Sequence, residues 1–133
     1  MITYQTTLEN VTPAMLEGFF VGWPSPPTRE THLEILRRSA YVVLALEGKR
    51  VVGFVTAISD GVLSAYIPLL EVTPEFQGQG IGRGLMEHMK KLLEGLYMVD
   101  ILCDDDVEPF YQKLGFTPAG GVMIRNYERQ SGR

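Results

Sequence analysis

The chain has 133 residues, of which 45% are apolar and 21% charged, and its formal net charge is −4. That length fits a single domain, residues 1–133, whose core needs neither disulfide nor structural metal, and the acidic balance speaks against the basic face of a nucleic-acid binder. With no apolar run near the ~18 residues of a membrane span, no basic-then-apolar leader and one cysteine, the chain reads as a cytoplasmic protein with no membrane partner.

Residues 2–8 alternate as an edge strand. Thr12-Pro13 reads as an N-cap and first-turn proline opening a helix through Phe20. Trp23-Pro24-Ser25-Pro26-Pro27 then breaks the chain with a stiff loop. Residues 28–38 fit a second helix, with Leu33, Leu36 and His32 toward one side. Residues 41–46 and 50–58, joined by Glu47-Gly48-Lys49, read as a hairpin. Asp60-Gly61 marks a turn, and residues 62–73 continue as a third long strand. Pro68 cannot donate to a ladder, so it is expected at a bulge or an unpaired edge. From Ile81, residues Leu85, Met89, Leu92 and Leu96 recur at helical spacing, with Glu87 and Lys91 as an i,i+4 pair and Gly95 as the stop. Residues 97–103 form a fifth strand and 107–114 a short helix ending at Gly115. Residues from Phe116 onward read as a last pair of strands around Gly120-Gly121, before a frayed polar end at 130–133.

The stretch Gln77-Gly78-Gln79-Gly80-Ile81-Gly82-Arg83-Gly84-Leu85 lies between a β-like run and a helix-like one. Its glycines let the backbone approach a ligand and leave several N–H groups aimed at it. The helix behind adds a positive dipole end, so the segment suits a phosphate or pyrophosphate. The plainer alternative is a structural strand-to-helix turn. A dinucleotide fingerprint needs glycines at i, i+2 and i+5, but counting from Gly78, Gly80 or Gly82 the third position is Arg83, Leu85 or Glu87. A Walker A loop needs Gly-Lys-Ser/Thr, which the chain lacks. What remains is Gln-x-x-Gly-x-Gly at Gln77, Gly80 and Gly82, which resembles the acetyl-CoA signature of the GCN5-related N-acetyltransferases. An acidic chain has no long-range pull on an anionic coenzyme, so amides, helix end and Arg83 must supply the attraction locally.

A second segment, Glu108-Pro109-Phe110-Tyr111-Gln112-Lys113-Leu114-Gly115-Phe116, resembles the same family's second signature, and Val72-Thr73-Pro74 matches the usual end of its fourth strand. The likeness covers about residues 39–122, the expected coenzyme-binding core. It implies an α/β (α+β) fold in the order β-α-α-β-β-β-α-β-α-β-β. Its centre would be a mixed, mostly antiparallel twisted sheet of six to seven strands flanked by about four helices. It also implies an acetyl-CoA-dependent N-acetyltransferase acting on a primary amine, of a small molecule in the first reading, by direct attack in a ternary complex. The alternatives are a non-catalytic acyl-CoA sensor or interaction module of the same fold, or a protein lysine or N-terminal acetyltransferase. Many relatives dimerise, so a homodimer belongs to the same expectation.

Carried over by resemblance, the amides of Gln79, Gly80, Ile81, Gly82, Arg83 and Gly84, next to Gly78, would hold the pyrophosphate, with Gln77 bracing the turn. Leu70, Glu71 and Val72 would run along the pantetheine arm, and Tyr111 would face the departing thiolate. The position seven residues before that tyrosine, often Asn in the family, is Asp104, an added negative charge that makes a poor coenzyme contact.

The chemistry needs three services: deprotonation of an amine near pKa ~10, polarisation of a thioester carbonyl, and stabilisation of the leaving thiolate. A Val72 amide suits the second. Tyr111 suits the third through a hydrogen bond, since a phenol near ~10 is a weaker acid than a thiol near ~8.5. Glu71 is the carboxylate candidate for a base; its other reading is a solvated strand residue or a structural ion pair. Tyr66, Asp60 and Asp104 are weaker candidates. Trp23, His32, Phe19 and Phe20 could border the acceptor, with core packing the plainer reading for the two phenylalanines. Cys103 reads as a small hydrophobe, and the separated His32 and His88 give no metal site.

Overall fold

A long hairpin frames the molecule, whose computed structural model describes residues 1–133. β1 (Ile2–Gln5) pairs antiparallel with β2 (Tyr41–Glu47), which pairs with β3 (Arg50–Ser59) across a turn where Gly48 has φ 59°. Residues 42–46 and 51–57 are buried on both faces, so these strands carry continuous apolar runs in place of alternation. Beyond β3 lie β4 (Ser64–Tyr66) and β5 (Leu70–Val72), both antiparallel to it, and β6 (Met98–Asp100) runs parallel to β4. The sheet is therefore mixed and mostly antiparallel, with six strands and three α-helices.

The expected third long strand exists as β4 and β5, cut at residues 67–69 around Pro68, where a ladder donor is missing. The turn before it is made by Asp60, whose carboxylate accepts from the amides of Val62, Leu63 and Ser64 at 2.8, 2.8 and 3.2 Å. Those bonds hold the Asp60 carboxyl down at about 2, which makes it a turn anchor and no base.

α1 (Arg29–Arg38) is capped by Thr28, whose hydroxyl accepts from the Thr31 amide at 3.1 Å. It lays Leu33 and Leu36 on one sheet face with Leu16, Phe20, Leu44 and Phe54. α2 (Ile81–Leu92) covers the other face, packing Leu85, Met86 and Met89 on Val43, Val52 and Val55. α3 (Glu108–Gln112) follows β6 and ends near Gly115 at φ 96°.

Four expectations change. The helix from Pro13 to Phe20 is only a 3-10 turn at Pro13–Met15, because Gly18, Phe20 and Gly22 take φ of 90°, 61° and 83°, outside the right-handed helix. The inward stripe of α2 turns through Met86 and Leu93, leaving Leu92 36% exposed, and α2 stops before Gly95. Glu87 pairs with Arg83 at 2.9 Å in place of Lys91. The last pair of strands does not form: residues 117–125 take part in no backbone–backbone hydrogen bond.

Candidate active site

The sheet opens beside β5. Ile67 N donates to Asp100 O at 3.0 Å, the last bond between the third strand and β6; past Pro68, β5 has a partner only in β3. Thr73 N donates to Val52 O and Thr56 N to Leu69 O, so residues 69, 71 and 73 bond toward β3. By alternation, Leu70 and Val72 turn their backbone groups to the opening. Gln77 Nε2 takes the Val72 carbonyl at 2.9 Å, bracing the turn and leaving the Val72 N–H facing the gap.

The glycine turn follows at once. Gly78 and Gly80 have φ of 78° and 81°, and no atom lies within 4 Å of where a Cβ would stand. They are glycines for conformation and open space. The amides from Gly78 to Arg83 find no acceptor in the chain, and α2 starts at Ile81 with a glycine N-cap that has no side chain to satisfy them. These are the conditions for an anion: free donors, a dipole end and room. Arg83 stands at the rim, its guanidinium tied to Glu87.

Gly84 departs from the expected role. Its amide donates to Gly80 O at 3.0 Å and so cannot serve an anion. Its missing side chain is needed for packing instead, since a Cβ there would collide with the Tyr4 hydroxyl. Gly82 stands where three elements meet, its Cβ position 3.7 Å from the Phe110 ring and 3.9 Å from Val72 Cγ2. α3 thus lies against the first turn of α2 and the end of β5.

Tyr111 is buried between Phe110 and Phe116, with ring centroids at 5.0 and 5.8 Å, and lines a cavity of about 550 Å³ with Ile101, Leu102 and Cys103. Burial, with Cys103 beside it, pushes its hydroxyl up to about 12. Cys103 is exposed, and desolvation plus the carboxylates of Glu108 and Asp104–106 raise its thiol pKa, the opposite of an activated nucleophile.

On the other side of β5, Glu71 binds backbone: its carboxylate accepts from Phe20 N at 2.9 Å and Val21 N at 3.3 Å. This holds Phe20 in its left-handed conformation and fastens the loop that carries Trp23, which packs on Phe20 at 4.9 Å. A cavity of about 490 Å³ results, lined by Val21, Trp23, Phe54, Leu70, Glu71 and Gln77 among others, with Glu71 the one charged group on its wall. It abuts the same strand that faces the sheet opening.

His32 lies behind this cavity. It is buried among Phe19, Phe20 and Phe54, with Nε2 lacking a partner, and burial lowers its pKa to about 4. Tyr66 sits on β4 opposite Ile58 and Asp100, before the break, and lines neither cavity. The Phe20 and Val21 amides on Glu71 and the placement of Phe110 against Gly82 were not foreseen; the glycines at 18 and 22 bracketing the first two were the available signal. No cluster of His, Cys, Asp or Glu has metal-site geometry. No helix is long and apolar enough to cross a membrane.

Fold and site together define an α+β domain with a row of acceptor-less amides at the mouth of a parted sheet. Residues 38–118 match the family model described as an acetyltransferase (GNAT) domain. The chain is 32% identical over 110 residues to histone acetyltransferase TAP1 of Glycine max, covering 72% of this chain and 47% of that protein. It spans about half the length of such curated relatives. A crystal structure of a candidate acetyltransferase from Deinococcus radiodurans R1 shares 53% identity and superposes with TM-score 0.96, covering 98% of this chain and 92% of that one. A GNAT family acetyltransferase of Streptococcus pneumoniae shares 30% identity at TM-score 0.72, covering 94% and 98%. The chain belongs to the GNAT acetyltransferase family.

Proposed function

We propose that this protein transfers an acetyl group from acetyl-CoA to the primary amine of a small molecule, by direct attack while both are bound. The observation that carries the reading is the row of acceptor-less amides from Gly78 to Arg83 beside a strand edge with no partner. These groups would fit the coenzyme: the turn amides would meet the pyrophosphate, and Leu70 and Val72 would meet the amide-bearing arm through the main chain. When bound, acetyl-CoA supplies an activated acyl thioester.

The chain's own groups then divide the work. The Val72 N–H polarises a carbonyl placed in the opening. Glu71 gives the acceptor cavity its negative charge and draws in an ammonium. Two of its lone-pair directions are committed to Phe20 and Val21, so it handles the amine's proton with the others, directly or through a water. Tyr111 offers its hydroxyl to a departing sulfur. A phenol with pKa near 12 keeps its proton until sulfur charge has developed, so its service is a strengthening hydrogen bond. Trp23, Val21 and Phe54 favour an amine on an apolar body, and a single carboxylate suits a monoamine better than a polycation.

The test is coenzyme release with a panel comprising an aryl-alkyl monoamine, a polyamine, an aminoglycoside and a lysine-containing peptide, beside calorimetry with acetyl-CoA alone. Tight binding with turnover of the monoamine is expected. Binding without turnover on any acceptor would make the protein a sensor. Peptide turnover above the monoamine's would move it to the protein acetyltransferases. Absence of binding rejects the coenzyme reading itself.

A further inference from the structure

The cavity of about 490 Å³ beside β5 has a second acceptor on its wall. Of its eight lining residues, only Glu71 and Gln77 carry side-chain oxygens. Gln77 is held there by a tether. It closes the 3-10 turn at Pro74–Phe76, its amide donating to Pro74 O at 3.4 Å, and its side chain folds back onto β5, where Nε2 donates to Val72 O at 2.9 Å. A carbonyl only accepts, so this bond fixes which end of the side-chain amide is which. Oε1 lies at the other end of the same rigid plane and receives no hydrogen bond from the chain.

Glu71 by itself leaves an ammonium short of acceptors. Its carboxylate already receives the amides of Phe20 and Val21 at 2.9 and 3.3 Å. An alkylammonium brings three N–H donors, and a donor left unpaired in a desolvated cavity costs binding energy. Gln77 Oε1 is the one uncommitted side-chain oxygen that the rest of the wall adds.

We infer that Gln77 Oε1 receives one N–H of the incoming amine and, together with Glu71, makes this site select an amine over a hydroxyl group. The inference rests on the acceptor reading given above and names what that site discriminates. Glu71 takes one proton, and the neutral amine that remains keeps two N–H bonds and a lone pair. With one N–H held by Oε1, the nitrogen stays beside Val72, because the other end of the Gln77 amide is bonded to Val72. An alcohol brings a single hydrogen. Given to Glu71, it leaves oxygen lone pairs facing Oε1; given to Oε1, it leaves the carboxylate with no proton to remove. A molecule carrying both groups is therefore acetylated on nitrogen.

Trp23, the only tryptophan of the chain, lines the same cavity and reports its occupancy. With coenzyme A present, its fluorescence is titrated with an aryl-alkyl monoamine and with the alcohol of the same skeleton. The wild type should bind the amine more tightly. That preference should fall about 10-fold in Gln77→Met, the worth of one hydrogen bond to a charged group, and should be kept or enlarged in Gln77→Glu, which retains an acceptor. Both variants lose the donor to Val72 O, so calorimetry with coenzyme A alone should show weaker binding in both, with unchanged far-ultraviolet spectra. A residue that only braces the turn would show that weakening with the amine-to-alcohol ratio untouched, and this result would overturn the inference. An equal fall of the ratio in Gln77→Met and Gln77→Glu would trace it to the lost brace and overturn it as well. If wild-type protein binds coenzyme A but neither ligand, by fluorescence or calorimetry, the acceptor cavity itself is rejected and this role of Gln77 with it.

Discussion

Glu71 shows how one side chain ties two regions of this molecule together. It sits mid-strand on β5, yet its carboxylate is spent on the amides of Phe20 and Val21, fifty-one and fifty residues away in sequence. The strand position was legible from the sequence. The partners were not, because they are main-chain groups of a loop whose course depends on the left-handed Phe20. Tyr111 was legible as a motif residue, but its burial and raised pKa come from Phe110 and Phe116 closing over it. Tyr111→Phe should lower kcat on the order of 10- to 100-fold, the worth of one hydrogen bond to a charged group, while leaving KM for acetyl-CoA nearly unchanged. Unaltered turnover in steady-state kinetics would remove Tyr111 from the reaction. Gly84 makes the complementary case, a glycine inside a ligand motif that serves packing. Gly84→Ala should destabilise the fold by about 1–3 kcal/mol through its clash with Tyr4, and Tyr4→Leu in the same chain should recover part of that loss. Chemical denaturation of the two variants checks it; equal destabilisation in both would show that Tyr4 is not the obstacle.

At the scale of elements, the turn into α2 and the break at Pro68 shape the candidate site. Both were legible, since glycine alternation and an in-strand proline are local signals with local consequences. Gly80→Ala should cost only about 1 kcal/mol of stability, as a left-handed position with open space around it. It should nevertheless raise the calorimetric Kd for coenzyme A about 10-fold, because the amides would no longer converge; an unchanged Kd would mean the turn does not hold the anion. The first predicted helix failed for a related reason. Thr12-Pro13 is a sound start signal, but Gly18, Phe20 and Gly22 have left-handed backbones, and Glu71 rewards that conformation from another element. The final strands failed because pairing needs a neighbour, and none within the chain reaches residues 117–125.

At the scale of the whole molecule, two cores on opposite sheet faces set the response to acid. His32 sits in the core under α1 with its pKa lowered to about 4 by burial, against an ordinary value of 6.5. Between those values the unfolded chain binds the proton and the folded chain does not, so stability falls as pH drops from about 6.5 to about 4, by about 3 kcal/mol at most. His32→Leu should flatten that part of the curve. Thermal unfolding across this range checks it, and an equal acid slope in the variant would assign the loss to other groups.

The sequence by itself placed the β2–β3 hairpin, the glycine turn into α2 and the short helix that carries Tyr111, because each depends on residues close together along the chain. Only tertiary structure decided that Glu71 fastens the Trp23 loop, that Gly84 makes way for Tyr4, and that the carboxyl-terminal arm is left without a strand to pair with. Those outcomes depend on which distant backbone groups are brought within hydrogen-bonding or van der Waals reach, and local pattern does not encode that distance.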